Sequence, residues 1–550
     1  MAIDVPLPVL LFLISVPEAL LVKYLAPEQN VQRVSFTLIV PILFGLNLSV
    51  WVFWNVFIYP FFFSPLRHLP EPKSGYPHYA RWLVLTDKFL ATEYLRWIKE
   101  VPNNGLIRYR GLFNAETLIP TDTQAHADIL VHRTYDFAKP EKLRTFLRRF
   151  IGDGLINIEG DEHKFQRKVM APSFSFRQIK ELYPAFWAKS LELTQRIAAE
   201  LPDSPGYDAE TGEGIIDIAH WSTKVTLDII GRAGLGCDFN SLKNHDDPLV
   251  ALYDEILEPT TEKKFLCLLY LYFPDWLLRL VPWEANRRLN LNTDRLREAS
   301  LNLMKEKKQT FKNNGDEQKD ILSGLLRTNL FSDKQLVDQL LTVLAAGHES
   351  TATTFTWATY LLALHPAAQS HLHTEISNAH LPSPTDTTAD DLSATLESLP
   401  YLNAVCNEVS RLYPAVPIVA RVAVRDTTVA GTAVPAGTIL NLVPWAANRN
   451  PALWGADAGD FAPERWLDAA DGRVNNEGGA RSNYAQMTFF HGPRSCVGQR
   501  FSMAELRCLV AAFAGRCEWR LGMREEEVVP GGFVTVKPKG GLRLRVRVVG

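Results

Sequence analysis

The chain has 550 residues, with 58 Lys and Arg against 61 Asp and Glu, a net charge of -3 and 47% hydrophobic residues. It has no basic excess and no lysine or arginine run, which excludes a nucleic-acid-binding protein. Six scattered cysteines without CxxC spacing exclude a structural zinc site and a disulfide-stapled secreted fold, and fit a reducing compartment.

The first predicted elements are apolar. Val5 to Val22 carries Glu18 and three prolines, and reads as a second membrane span, an interfacial segment or a signal-like h-region. Val34 to Leu66 has no charged side chain, and a helix crossing the bilayer needs only about 20 apolar residues. One transmembrane helix, roughly Leu38 to Tyr59, is expected, with Trp51, Trp54 and Tyr59 near an interface. No small-residue cleavage site precedes it, so the segment is expected to be retained. Arg67, His68, Lys73 and Arg81 follow and place the remaining chain in the cytosol by the positive-inside tendency. The run SPLRHLPEPKSGYP reads as a stiff neck, because each proline fixes φ and removes a donor. Three parts are therefore expected: residues 1–33, an anchor over 34–66 and one large unit over 67–550.

Helical periodicity dominates from Ala127 to Leu412, while Arg421 to Trp445 and the terminal GGLRLRVRVV alternate like strands. The fold class is mainly α with a minor β lobe. Leu266 to Trp276 (LCLLYLYFPDW) is apolar enough to act as a lid that touches the bilayer, and Phe137 to Leu155 is expected to line a pocket. The longest helix is predicted from Ser332, where Ser332 and Gln335 form a capping-box pattern, to about His365 ahead of Pro366. Near its middle lies AAGHEST, Ala345 to Thr351. Gly347 there costs roughly 1 kcal/mol relative to Ala, so a compensating gain is expected. Further on, Glu408 and Arg411 share one helical face at i and i+3.

The most informative stretch is Phe489 to Gly498, FFHGPRSCVG, which runs into a helix-forming segment. Cys496 would sit at a helix N-terminus, where partial positive charge favours a thiolate. Gly492 and Gly498 let main-chain N–H groups approach the sulfur, and Arg494 lies two residues before it. The other five cysteines read as small buried hydrophobes.

Phe489, Gly492, Arg494, Cys496 and Gly498 together meet the pattern Phe-x-x-Gly-x-Arg-x-Cys-x-Gly, which resembles the haem-binding signature of the cytochrome P450 superfamily. The resemblance covers roughly Pro65 to Val549. Ala346 to Thr351 is similar to the family's central-helix motif, with Ser350 where threonine is usual, and Glu408, Arg411 and the Pro463–Trp466 element resemble its Glu-x-x-Arg and Pro-Glu-Arg motifs. The neck resembles the proline-rich hinge of microsomal members.

This resemblance implies the P450 fold preceded by an N-terminal transmembrane helix. It implies haem b (iron protoporphyrin IX) with Cys496 as the axial ligand of iron, and Phe489, Gly492, Arg494, Gly498, Arg421, His163 and Arg167 as cofactor-binding residues. His163 stands where the family often has tryptophan. Glu349, Ser350 and Thr351 are implied as the catalytic acid and alcohols, Gly347 as room for dioxygen, and Glu408, Arg411 and Arg465 as a structural cluster that performs no chemistry. The activity implied is insertion of one oxygen atom from O2 into a lipophilic small molecule. The general style looks like fungal members acting on terpenoid or polyketide intermediates in secondary metabolism. Electrons would come from NADPH through NADPH-cytochrome P450 reductase, for which Lys164 and Lys168 offer a basic face. The location implied is the endoplasmic reticulum membrane, with the catalytic domain facing the cytosol. Alternatives are a fatty-acid or sterol hydroxylase, a reductase-independent haem-thiolate isomerase or dehydratase, and a non-catalytic haem-binding membrane protein.

Overall fold

The computed structural model describes residues 7–25, 35–73, 89–243, 260–273, 283–314, 319–382, 389–532 and 534–549, with 252, 255, 277 and 278 besides. The neck beyond Lys73, including Arg81, and the stretch 274–276 of the lid lie outside them.

Two apolar helices come first, α1 (Leu7–Leu25) and α2 (Phe36–Phe53), the latter continuing in wider π-type turns to Phe63. Ser35 caps α2 by accepting from the Thr37 N–H. The uncharged run therefore folds as one helix from Phe36 to Phe63, longer at both ends than the expected span. The apolar run ahead of it is a second helix.

Alternation of apolar and polar side chains makes the first sheet. Strands β1 (Leu106–Arg110) and β2 (Glu116–Pro120) form an antiparallel hairpin, joined by β3 (Phe137–Ala138) and by two strands from late in the chain. Leu66 is buried with Leu106, Leu118 and Leu440, so the packing of this lobe begins just ahead of Arg67.

Helices α3 (Glu141–Ile151), α4 (Gly160–Met170) and α5 (Tyr183–Glu200) lead to β4 (Glu213–Asp217) and α6 (Ile218–Ile229). The apolar lid is the C-terminal part of a helix over Thr261–Tyr272. Only part of it looks outward: Leu266 and Tyr270 are buried against Phe146 of α3, while Phe265 and Phe273 are exposed.

The central helix α7 runs Asp333–Leu364, about 48 Å at 1.5 Å per residue. Its capping box forms as read: the Gln335 N–H donates to Ser332 Oγ at 3.3 Å, and the Ser332 N–H donates to Gln335 Oε1 at 3.0 Å. It is buried by α6 and by a late helix, with Phe355 against Phe513 and Thr356 bonded to Ser222.

Helix α8 (Pro400–Leu412) precedes β5 (Val419–Ala423) and β6 (Ile439–Leu442), which complete the first sheet in the order β1-β2-β6-β5-β3. Only β2 and β6 pair in parallel within it. The final helix α9 (Gln499–Arg516) feeds β7 (Cys517–Leu521), and β8 (Arg543–Val548) lies between β4 and β7 in a second antiparallel sheet. The described chain is thus mostly helical with small sheets.

Candidate active site

The loop from Phe489 to Gly498 is held by its own backbone. The Cys496 N–H donates to Phe489 O at 2.8 Å, and the Ser495 N–H donates to Gly492 O at 3.0 Å. Gly492 has φ of 70°, and a Cβ there would lie 2.2 Å from the Leu130 carbonyl oxygen, so no other residue fits. Gly498 caps α9, and its N–H points at the Cys496 sulfur. Burial pushes the Cys496 thiol up, while this N–H and the Arg167 guanidinium pull it down. The residue nevertheless bears open surface. The thiol thus lies at the exposed tip of a tightly braced loop, with the Gly498 N–H and Arg167 as its polar neighbours.

Basic side chains gather around Arg494 of this loop. Lys139, His163, Arg421 and Arg494 act on one another electrostatically, with Glu159 as the single carboxylate among them. Burial and the Arg421 charge bring Lys139 down to about 7, and burial with Arg494 brings Arg421 down to about 10. His163 falls to about 4 through burial and Arg494. Arg494 pairs with Glu159 and stands 5.3 Å from the Tyr135 ring centre. Its Nε and the His163 Nδ1 have no hydrogen-bond partner among the described residues. This is more buried positive charge than one carboxylate balances. Arg167 points elsewhere: it donates to the Ser495 carbonyl and, at 3.1 Å, to Ser495 Oγ, bracing the cysteine loop. Phe489 packs against the main core.

The middle of α7 is tied to the start of α9 and also carries an open face. Ala346 is exposed in the middle of a largely buried helix, and Ser350, one turn on, shares its face. Ser350 Oγ donates to the Ala346 carbonyl at 2.6 Å. Glu349 pairs with Lys537 at 3.5 Å. Thr351 is fully buried, its Oγ1 lying 3.0 Å from Ser502 Oγ in the first turn of α9. The room for dioxygen expected at Gly347 is instead taken by a neighbouring side chain. A Cβ there would lie 2.7 Å from Ile230 Cδ1, so the glycine admits close packing against Ile230 instead. His348 is buried with Nδ1 2.8 Å from Leu344 O, a local bond within the helix.

Glu505 is a buried acid beside Thr351 that sequence reading missed. It is fully buried on α9, and neither carboxyl oxygen has a well-formed hydrogen bond among the described residues. Burial pushes it well above the usual carboxylate range, with an opposing pull from the Thr351 hydroxyl. The available signal was one acid in the apolar run after Ser502.

Behind the cysteine loop, Glu408, Arg411 and Arg465 meet. Arg411 and Glu408 are fully buried and doubly bonded, 2.7 and 2.8 Å, and Glu408 Oε1 accepts from Arg465 Nε at 3.1 Å and from the Ala462 N–H at 3.0 Å. Arg411 also donates to the carbonyls of Asn448 and Ala458, each at 2.7 Å. Glu408 and Arg411 have no open face, while Arg465 also reaches out to the exposed Asp457 at 2.7 Å.

The cytochrome P450 family model matches residues 105–544. This chain belongs to the cytochrome P450 family. The P450 is 39% identical over 532 residues to cytochrome P450 monooxygenase sphH of Aspergillus fumigatus, covering 94% of this chain and 95% of that relative. It is 36% identical to monooxygenase ALT8 of Alternaria alternata, with 92% and 94% covered, and 37% identical to FUM15 of Gibberella moniliformis, with 90% of each covered. The enzyme is a P450 monooxygenase, a class that uses O2, a reductase as redox partner and lipophilic substrates, and membership implies a haem-iron cofactor. The residues of this P450 fit that group. The Cys496 thiol is the soft ligand that iron takes, and the underbalanced cations with two orphaned nitrogens suit a pair of carboxylates.

Proposed function

We propose that this P450 is a membrane-anchored haem-thiolate monooxygenase in which Cys496 would bind the iron of haem b and Lys139, His163, Arg421 and Arg494 would hold its two propionates. The observation that carries the reading is the exposed Cys496 in its glycine-punctuated loop, with the underbalanced basic group gathered around Arg494 of the same loop. When bound, the haem supplies the oxygen chemistry. The chain supplies position and protons. The Gly498 N–H and Arg167 stabilise negative charge on sulfur. The Ala346 and Ser350 face of α7 bounds the reaction space. Ser350 Oγ, already a donor to Ala346 O, is the hydroxyl placed to pass a proton, and Glu349 is the acid one residue before it. Thr351 positions α7 against α9 through Ser502.

The substrate is a lipophilic intermediate of secondary metabolism, terpenoid or polyketide. Its apolar lid helix and its fungal P450 relatives support this. Electrons come from NADPH through NADPH-cytochrome P450 reductase, docking on the side of α4 where Lys164 stands exposed. The protein sits in the endoplasmic reticulum membrane with the catalytic domain toward the cytosol. Purified protein should show the red-shifted thiolate band of a reduced carbon-monoxide complex and oxygenate its substrate with NADPH and reductase. Turnover with a hydroperoxide alone and none with NADPH would overturn the reading in favour of an isomerase or dehydratase. Preference for fatty acids or sterols would replace the substrate class.

A further inference from the structure

We infer that the anchor of this P450 is a two-pass helical hairpin, closed near mid-bilayer by a polar clasp of Ser15, Glu18 and Asn47. The chain ahead of Leu7 and the catalytic domain then lie on the same side of the membrane. The inference rests on the reading of this segment as a membrane anchor.

Helices α1 and α2 pack antiparallel. Ala19, fully buried, meets Ile39 and Val40, while Ser15 and Glu18 reach Asn47, so the contacts rise along α2 as they fall back along α1. Asn47 Nδ2 donates to Ser15 Oγ at 3.1 Å and to Glu18 Oε2 at 2.6 Å, and Ser15 Oγ donates to Leu11 O at 2.8 Å. Ser15, Glu18 and Asn47 thus turn toward one another across the helix pair. Phe12, Leu13, Leu20 and Leu21 of α1, with Ile42 and Leu46 of α2, are exposed.

An interfacial α1 would need one polar face in water. Apart from Lys23 in its last turn, this helix is apolar on its outward sides, and its one acid is taken by Asn47. Such a surface suits hydrocarbon, where an ionisable group persists only when partnered. The 19 residues of α1 span about 28 Å at 1.5 Å per residue, close to the ~30 Å hydrocarbon core. The second helix, with 28 residues, is about 42 Å long and overshoots by some 12 Å. The overshoot is docked on the catalytic domain: Asn114 Nδ2 donates to Val56 O at 2.8 Å, the Arg110 guanidinium lies 4.3 Å from the Phe61 ring centre, and Ser64 Oγ donates to Glu116 Oε2 at 2.6 Å. The end of α2 therefore leaves the bilayer on the domain's side, and a spanning α1 returns the first residues to that same side.

The test uses the full chain inserted into microsomes, with a glycosylation acceptor tag placed ahead of Leu7, within 26–34, or after Gly550. The hairpin predicts sugar on the 26–34 tag only. Sugar on the tag ahead of Leu7 as well means that α2 spans alone and overturns the hairpin. No sugar on any tag, with the protein extracted by alkaline carbonate, overturns the anchor reading itself. For the clasp, Asn47→Leu leaves Glu18 without its partner and also removes the acceptor triplet Asn47-Leu48-Ser49, so it adds no false signal. It should raise sugar on the tag ahead of Leu7 several-fold, and adding Glu18→Leu should restore the parent pattern. An unchanged pattern in Asn47→Leu overturns the clasp.

Discussion

The hydroxyls of Thr351 and Ser502 lie 3.0 Å apart, joining the middle of the central helix to the first turn after the cysteine loop. Thr351 is fully buried in that contact, whereas Ser350 keeps its hydroxyl on the open face with Ala346. The two neighbouring alcohols therefore sit in different surroundings.

Ser350→Ala should keep haem and continue to oxidise NADPH while product falls by about 10²–10⁴-fold, the usual worth of a placed proton donor. Thr351→Ala should keep product per NADPH close to the parent and lose about 1–3 kcal/mol of stability through the unpartnered Ser502 and the gap at the helix contact. Coupling ratios and thermal melts of the two variants decide between them. Equal coupling losses would mean that Thr351 shares the proton role.

Cys496→Ala should abolish the thiolate band of the reduced carbon-monoxide complex, and alanine at Cys237, Cys267, Cys406, Cys508 or Cys517 should retain it. Burial raises all five of these thiols. A retained band in Cys496→Ala would remove the ligand assignment.

Arg411→Ala strips Glu408 of its doubly bonded partner in a fully buried site. Losing one member of such a pair costs about 3–5 kcal/mol. Expression with haem should fall sharply in both Arg411→Ala and Glu408→Ala, and normal haem content in either would show that the pair is dispensable.

Lys139 gives a pH signature for the cofactor-free protein. Its folded value of about 7 lies below the ordinary value of 10.5, so between these the unfolded chain binds more protons and stability rises with pH. His163, at about 4 against 6.5, adds the same sign between those limits. Melting of the cofactor-free protein should therefore be higher at pH 9 than at pH 7, and Lys139→Met should flatten that rise. With haem bound, propionates restore the Lys139 charge, so Lys139→Met should speed haem loss. Unaltered haem loss would remove Lys139 from the cofactor site.

Removing residues 1–55 should release most of the protein from membranes and leave haem binding intact. Removing 1–66 also takes Ser64 from Glu116 and the buried Leu66 from the first lobe, and should lower the melting point further. Identical melts for the two truncations would show that the docked end of α2 adds no stability.

Much of this protein is legible in its sequence because local rules carry it. The Ser332 cap, the long helix before Pro366, the glycine-punctuated loop around Cys496 and the i, i+3 pair of Glu408 and Arg411 each depend on residues a few positions apart, where backbone geometry alone sets who meets whom. The convergence of Lys139 with Arg421 and Arg494, the bond from Thr351 to Ser502, the buried acid Glu505, the close fit of Gly347 on Ile230 and the clasp between Glu18 and Asn47 depend on how helices and strands pack. The partners lie tens to hundreds of residues apart, and no periodicity encodes their distance. Tertiary packing decided them, because burial in the folded chain determines which charges repel, which hydroxyls find partners and which polar groups turn away from apolar surroundings.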